Sequence, residues 1–281
     1  MTRLPVLAAL FTLAGGPLAA QSFHTLSSAR QPRGERELNL TVEFVAGRFR
    51  LTRDGTGALY RSRMSYNEDR FRPIADYDDG DLHLGLKGLT VESNFKMKKH
   101  EFDRQYMDLS VSPSVPARLN LTLAAGEADV DMGGLNLRSA EIHTGATQSR
   151  FDFSTPTVGQ CESLSFQVGA AEFRAENLGN ARCQSFDFVG GAGDLTLDFT
   201  GTWGAREDVK ADIKMGVGSL RLNLPRDIGV QVEMSRFLSS FDESGFVKKG
   251  DTYYSSNWDT AKARLRIDIV TALGNIEVAW R

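Results

Sequence analysis

From Leu38 onward, apolar and polar residues alternate along the chain with a period of two. The stretches "LNLTVEF", "LNLTLAA", "LSFQV", "FDFV", "LTLDF", "LRLNL", "VQVEM" and "LRIDIV" all carry the pattern. Successive side chains of an extended strand point to opposite faces, so the alternation predicts strands with one buried and one solvated face. No good amphipathic helical pattern runs beyond about two turns, and very little helix is expected.

A longer period lies above the first. Each incoming strand reaches a hinge, and an outgoing strand follows it. Hinges at Ala124, Gly145, Gly169, Gly191, Gly216, Phe237 and Ala272 are separated by 21, 24, 22, 25, 21 and 35 residues. Spacings of this size mark stacked units that bury their apolar faces only against their neighbours. The expected fold is all-β: a single-domain, β-helix-like β-solenoid of 20–25-residue rungs. A two-sheet β-sandwich would satisfy the same alternation. The wide final spacing holds an insertion, residues 242–262. Upstream, "LNLTVEFVAGRFRLTRDG" carries the unit clearly and "DLHLGLKGLTVES" less regularly. Residues 37–281 thus divide into an N-terminal part (37–115) and regular repeats (116–281), behind a flexible segment at 21–36.

This frame accounts for the chain's only two cysteines. Leu164 aligns with Phe186 and Phe166 with Phe188, which puts Cys161 and Cys183 in one column on adjacent rungs. Neighbouring strands lie ~4.8 Å apart, within the Cα separation a disulfide tolerates. Such a bridge closes a loop of 22 residues, which stabilises by on the order of 3 kcal/mol in the chain-entropy account. A redox or metal pair would need CxxC spacing or a nearby histidine, and neither is present.

An oxidising compartment agrees with the N-terminus. "MTRLPVLAALFTLAGGPLAAQS" has one cation, Arg3, an apolar run from Leu4 to Leu13, a Gly-Gly-Pro break and two small residues, the pattern of a signal peptide over residues 1–20. The run is about half the ~20 residues of a membrane span, the alternative being an uncleaved anchor. No cysteine follows it for lipid attachment, and no later segment approaches a span. The expected location is extracytoplasmic: periplasm, medium or cell surface. Apolar residues make up 41% of the 281 residues, enough for a continuous core, and 27 glycines against 8 prolines suit many tight turns. A formal net charge of -3 gives no global attraction for nucleic acid or an anionic membrane.

Little in the chain points to catalysis. His24, His83, His100 and His143 have no paired-ligand spacing, and there is no GxSxG elbow, P-loop or dinucleotide fingerprint. No cofactor or metal is expected. "GGAGDL" lies between strands without a helix to receive a phosphate, and reads as a turn. Asp78, Asp79 and Asp81 surround Gly80; clustered carboxylates bind calcium, and Asp-Gly also builds hairpins. Arg48, Arg50, Arg61 and Arg63 form a candidate face for anionic glycans or lipid headgroups, with cross-strand ion pairs as the plainer reading. Phe246, Tyr253, Tyr254 and Trp258 sit in the insertion, either as a platform for a sugar or partner or folded back on the core. The chain ends on "NIEVAWR", leaving that strand without cover from anything later, so Tyr253, Tyr254 or Trp258 is expected to cap it.

The passages "VDMGGLNLRSAEIHTGA" and "GDTYYS…ARLRIDIVTALGNIEV", with the hinged alternating strands, resemble the toastrack domain of LiaF-type envelope-stress proteins. "LNLTVEFVAGRFRL…SYNEDRFRPIADYDDGDLHL" resembles the N-terminal part of the same family. LiaF-type members carry transmembrane helices ahead of the repeats, where this chain has a signal peptide. The resemblance implies a non-enzymatic envelope module and supplies no catalytic residues. Its partner would be an envelope protein or a wall or surface polymer. The alternative is a carbohydrate-active enzyme on a β-helix, for which Asp129, Asp152, Asp187 and Asp198 would have to gather with basic partners on one lateral face.

Overall fold

The computed structural model describes residues 23–89, 99–204 and 208–281; the proposed signal peptide lies outside them. Five long strands make the regular stack: β8 (Ala117–Asp131), β9 (Leu137–Asp152), β10 (Cys161–Glu176), β11 (Cys183–Asp198) and β12 (Asp208–Leu224). Each pairs in parallel with the next, in chain order and nearly in register. Parallel pairing of successive strands excludes the hairpin-built sandwich and gives the solenoid.

Each rung is one strand folded at its hinge. In β12 the buried positions are Val209, Ala211, Ile213 and Met215 before the corner and Leu220, Leu222 and Leu224 after it. The inward set changes from odd to even numbers across Gly216, so both legs turn their apolar faces to one lumen. Phe166 and Phe173, on opposite legs of β10, meet edge-on at 5.0 Å between ring centroids. Along the stack Phe166 lies flat on Phe188 at 5.1 Å. Burying a phenylalanine of this kind stabilises by about 2–3 kcal/mol, and the repeat multiplies it.

The hinges form a real column. A Cβ on Gly145 would strike the Ala124 carbonyl, and one on Gly216 the Gly191 carbonyl. A second glycine column, two residues further on, is not apparent from the period. Gly193, Gly218 and Gly274 pair across rungs with φ of 133°, 143° and 150°. A side chain on Gly218 would collide with the carbonyl of Gly193 as well as face a backbone strained for any other residue. "GGAGDL" accordingly lies inside β11 as its corner, not between two strands.

Both ends depart from chain order. At the C-terminal end, β13 (Gly229–Phe241), β14 (Phe246–Lys249), β15 (Thr252–Ser255) and β16 (Arg264–Trp280) complete the sheet in the order β12-β16-β13-β15-β14. The last strand of the chain is therefore interior, parallel to β12 on one side and β13 on the other. The strand of "NIEVAWR" is not the uncovered end expected of it, because β13, earlier in the sequence, pairs along its far side. The insertion is a β14–β15 hairpin, antiparallel to β13 over Gln231–Glu233.

At the N-terminal end two split rungs extend the stack. Strands β2 (Leu38–Phe44) and β3 (Gly47–Arg53) are the two legs of one, paired with the two legs of β8. Strands β6 (Asp81–Gly88) and β7 (Tyr106–Val111) are the legs of the next, with α1 (Lys99–Arg104) between them in sequence. Antiparallel strands finish the edges: β5 (Phe71–Asp78) on β6, β4 (Tyr60–Asn67) on β7, and β1 (Phe23–Arg30) on β4. Residues 23–30, expected to be flexible, are thus a strand with all eight positions paired. Tyr77 donates to the Glu35 carboxylate at 2.9 Å, and the Arg30 guanidinium lies 3.8 Å from the Tyr77 ring centre, which fixes the entry of the chain to the body.

Candidate functional site

The cysteines lie where the rungs put them. Cys161 and Cys183 are register partners on β10 and β11, Cα atoms 4.1 Å apart and joined as a disulfide. They staple two rungs at the start of their incoming legs.

The outgoing legs present a charged outer face. Across strands β1, β4, β7, β3, β8, β9 and β10, one outward column reads Ser27, Arg63, Asp108, Arg50, Asp129, Arg150 and Arg174. Two grooves share this face. The larger, 970 Å³, spans β7 to β10 and holds Arg48, Arg50, Arg150 and Arg174 among acids. Its centre is Arg150, bonded to Asp152 and Glu176 at 2.7 Å each and to Asp129 at 3.5 Å. Burial works against the Arg150 charge, but the bond to Glu176 and the charges of Glu176 and Asp152 push its pKa up. Arg174 pairs with Glu172 at 2.6 Å and Arg50 with Asp129 at 3.7 Å. Arg48 donates to the Asp103 carbonyl at 3.1 Å. Arg50, Arg150 and Arg174 belong to an ion-pair ladder, whereas Arg48 reaches only a backbone carbonyl.

The smaller groove, 500 Å³, is built on β1, β4, β7 and β3. It takes Arg50, Arg61 and Arg63, with Asp108 its one acid and Ser27, Ser28, Thr52, Ser62 and Ser110 around them. Arg61 reaches only the Thr56 hydroxyl, at 3.4 Å. Among the described residues neither Arg61 nor Arg63 has an ion pair. The four arginines of the sequence reading thus share a continuous face, but fall into two environments.

Of the four acids the enzyme reading would need, Asp129 and Asp152 gather with a base, Arg150. Asp198 binds the Thr200 amide and the Asn223 side chain, and Asp187 stands in a different outward column, between Ser165 and Asp212. The sequence did carry a signal for Arg150 and Arg174: "SRFD" and "FRAE" align once the rungs are superposed, because Arg150 and Arg174 are register partners.

The Asp78–Asp81 segment is the two-residue turn of the β5–β6 hairpin. Asp79 and Gly80 have φ of 39° and 96°, the sign that such tight turns require. Asp81 accepts from Asn39 at 2.8 Å. Among the described residues no group of three or more His, Cys, Asp or Glu is placed to hold a metal.

The aromatic insertion splits into two pairs. Phe246 packs on Trp280 at 4.9 Å and Tyr253, 3% exposed, on Phe241 at 5.0 Å, together closing the lumen. Tyr254 and Trp258 pair at 5.6 Å outside, where Arg264 and Arg266 lie 5.4 and 5.3 Å from the Trp258 ring centre. The hairpin is a cap, and the strand it extends is β13.

A folded-strand solenoid with a self-paired charged flank and sealed C-terminal end defines the structural class. The chain belongs to the toast-rack family: residues 20–162 match the N-terminal domain of toast_rack, DUF2154. Residues 174–278 match the family described as cell wall-active antibiotics response LiaF, C-terminal. Solved structures covering 92% of this chain include a proposed cell adhesion protein from Clostridium sporogenes ATCC 15579, 17% identical, TM-score 0.48, with 100% of its own chain covered. Another is a proposed adhesin from Bacteroides fragilis NCTC 9343, 12% identical, TM-score 0.42, with 99% covered. No curated protein matches the sequence. Among the described residues no helix is long and apolar enough to cross a membrane.

Proposed function

We propose that this protein is a non-catalytic, exported binding or scaffold module of the bacterial envelope, contacting an envelope protein or a wall or surface polymer with its outer sheet. The observation that carries the reading is the form of its polar surface. The larger of the two grooves is an open strand face most of whose acids and arginines are spent on one another. Each acid of the Arg150 cluster is already bonded to that guanidinium, so a substrate would have to displace an ion pair to reach it, which favours a contact surface over a catalytic pair. The Cys161–Cys183 bridge supports an oxidising location. The family description of the C-terminal match, which speaks of a response to cell wall-active antibiotics, supports a link to envelope stress.

Crosslinking in intact envelopes followed by affinity capture tests the proposal. A reproducible envelope partner is expected, with no release of reducing sugar from wall or surface polysaccharide. Sugar release that is lost on Asp152→Asn would overturn it in favour of the enzyme.

A further inference from the structure

The outer face changes character where the parallel stack meets the antiparallel strands at its N-terminal end. Among the regular rungs, many cations meet acids on the same or a nearby rung, as Arg150 with Glu176, Arg221 with Glu277 and Arg266 with Asp208. On β4 the partners across the ladder are different. Arg61 lies between Ala29 of β1 and Ser110 of β7, and Arg63 between Ser27 and Asp108. Thr52 and Arg50 of β3 follow beyond β7. Three guanidinium groups therefore share a shallow groove with one carboxylate and a set of hydroxyls.

We infer that this groove binds an acidic polysaccharide, its guanidinium groups taking phosphate or carboxylate groups and its serines and threonine taking sugar hydroxyls. The inference rests on the binding-module reading above and names the ligand class for it. Three features carry it. Arg61 and Arg63 lack the ion pairs that many of their counterparts make further along the stack, and Arg50 reaches only Asp129, at 3.7 Å. They are also spread out: Arg61 and Arg63 are two residues apart on one strand, ~7 Å, and Arg63 and Arg50 two strands apart, ~10 Å. That spacing suits repeated anionic groups along a chain better than one compact anion. Finally, Ser27 and Thr52 supply hydroxyls that can both donate and accept, as sugar hydroxyls require. A bilayer is the weaker fit, because membrane binding at this face would draw on apolar side chains. Among the described residues, the exposed large ones, such as Val217, Leu238 and Leu273, lie on other strands.

The test is binding of the whole protein to immobilised polygalacturonate and dextran sulfate, with neutral dextran and phosphatidylglycerol vesicles alongside. Wild type should bind the two acidic polymers, lose binding as salt rises, and ignore neutral dextran. Arg61→Ala/Arg63→Ala should weaken binding roughly tenfold or more, while Arg174→Ala, on the self-paired ladder, should leave it unchanged. Both variants replace exposed side chains, and matching melting curves would show that folding is intact. Equal binding by wild type and the double variant, equal loss with Arg174→Ala, or preference for the vesicles would overturn the inference. Envelope capture with the double variant separates the two claims. If it retains the wild-type protein partners while no acidic polymer binds, the groove assignment fails and the binding module stands. If neither partner nor polymer is held by wild type, the module reading fails as well.

Discussion

The two ends of the outer face differ in how they treat charge. Along β8, β9, β10, β11, β12 and β16 the strands are parallel and nearly in register, so a residue type at one place in the repeat returns in the same column one rung later. Such a column must manage its own charge, and it does so with acids in the same or adjacent columns: Arg118 pairs with Glu37 and Glu162, and Lys210 with Asp212 and Asp268. Across β1, β4 and β7 the pairing is antiparallel and the neighbours come from unrelated segments. No repeat imposes the compensation there, and among the described residues Arg61 and Arg63 make no ion pair, although Asp108 stands across the ladder from Arg63. Repetition builds a self-satisfied wall; the break in repetition leaves a surface free to bind.

The same contrast orders the expected effects of substitution. The largest belong to the repeat's interior. Phe166→Ala removes a ring packed against Phe151, Phe173 and Phe188 and should cost about 3–5 kcal/mol in denaturant unfolding. A conservative change at an edge aromatic, Phe23→Leu, should cost far less. If the two cost the same, the lumen is not the principal source of stability. Next comes the staple: Cys161→Ser/Cys183→Ser should lower stability by on the order of 3 kcal/mol, reproduced in wild type by reductant. Gly218→Ala should cost about 1–3 kcal/mol through its backbone strain alone, with the carbonyl contact adding to it. Gly55→Ala, whose Cβ would meet nothing, should be near neutral in comparison. Smallest are the exposed ion pairs: Arg174→Ala should shift stability by less than ~1 kcal/mol.

One pH effect belongs to the β3–β4 connection. Asp54 is 5% exposed and accepts from the amides of Thr56 and Ala58 and the hydroxyls of Thr56 and Ser110. Burial opposes its charge, but these donors together hold its pKa below the ordinary value. A depressed carboxylate stabilises the fold above its unfolded pKa, about 3.9, and the contribution fades as pH falls through the lower folded value. The melting temperature of Asp54→Asn should therefore lie below wild type at pH 6 and approach it near pH 3.

Much of this architecture was legible in the sequence, because a parallel stack writes its geometry into local periodicity. The hinges from Ala124 to Gly216 and the Cys161–Cys183 column follow from counting. What could not be counted were pairings between distant segments. The insertion of β16 between β12 and β13, and the addition of β1 to β4, are non-local choices that alternation alone does not encode. The polar strand "FHTLSSAR" hides its role because it lies at an edge, with half-buried and exposed positions only. The arginines were visible as a group, but their division into paired and unpaired sets depends on which strands lie beside them, and that is fixed by the ends.

The central claim, that the groove around Arg61 and Arg63 is the working surface, is tested most directly by amide hydrogen exchange of the protein with and without polygalacturonate. The account predicts new protection confined to β1, β4, β7 and β3, around Arg50, Arg61 and Arg63, with β10 to β12 unchanged. Protection spread along the self-paired ladder of β9 to β12, or no change anywhere, would contradict it.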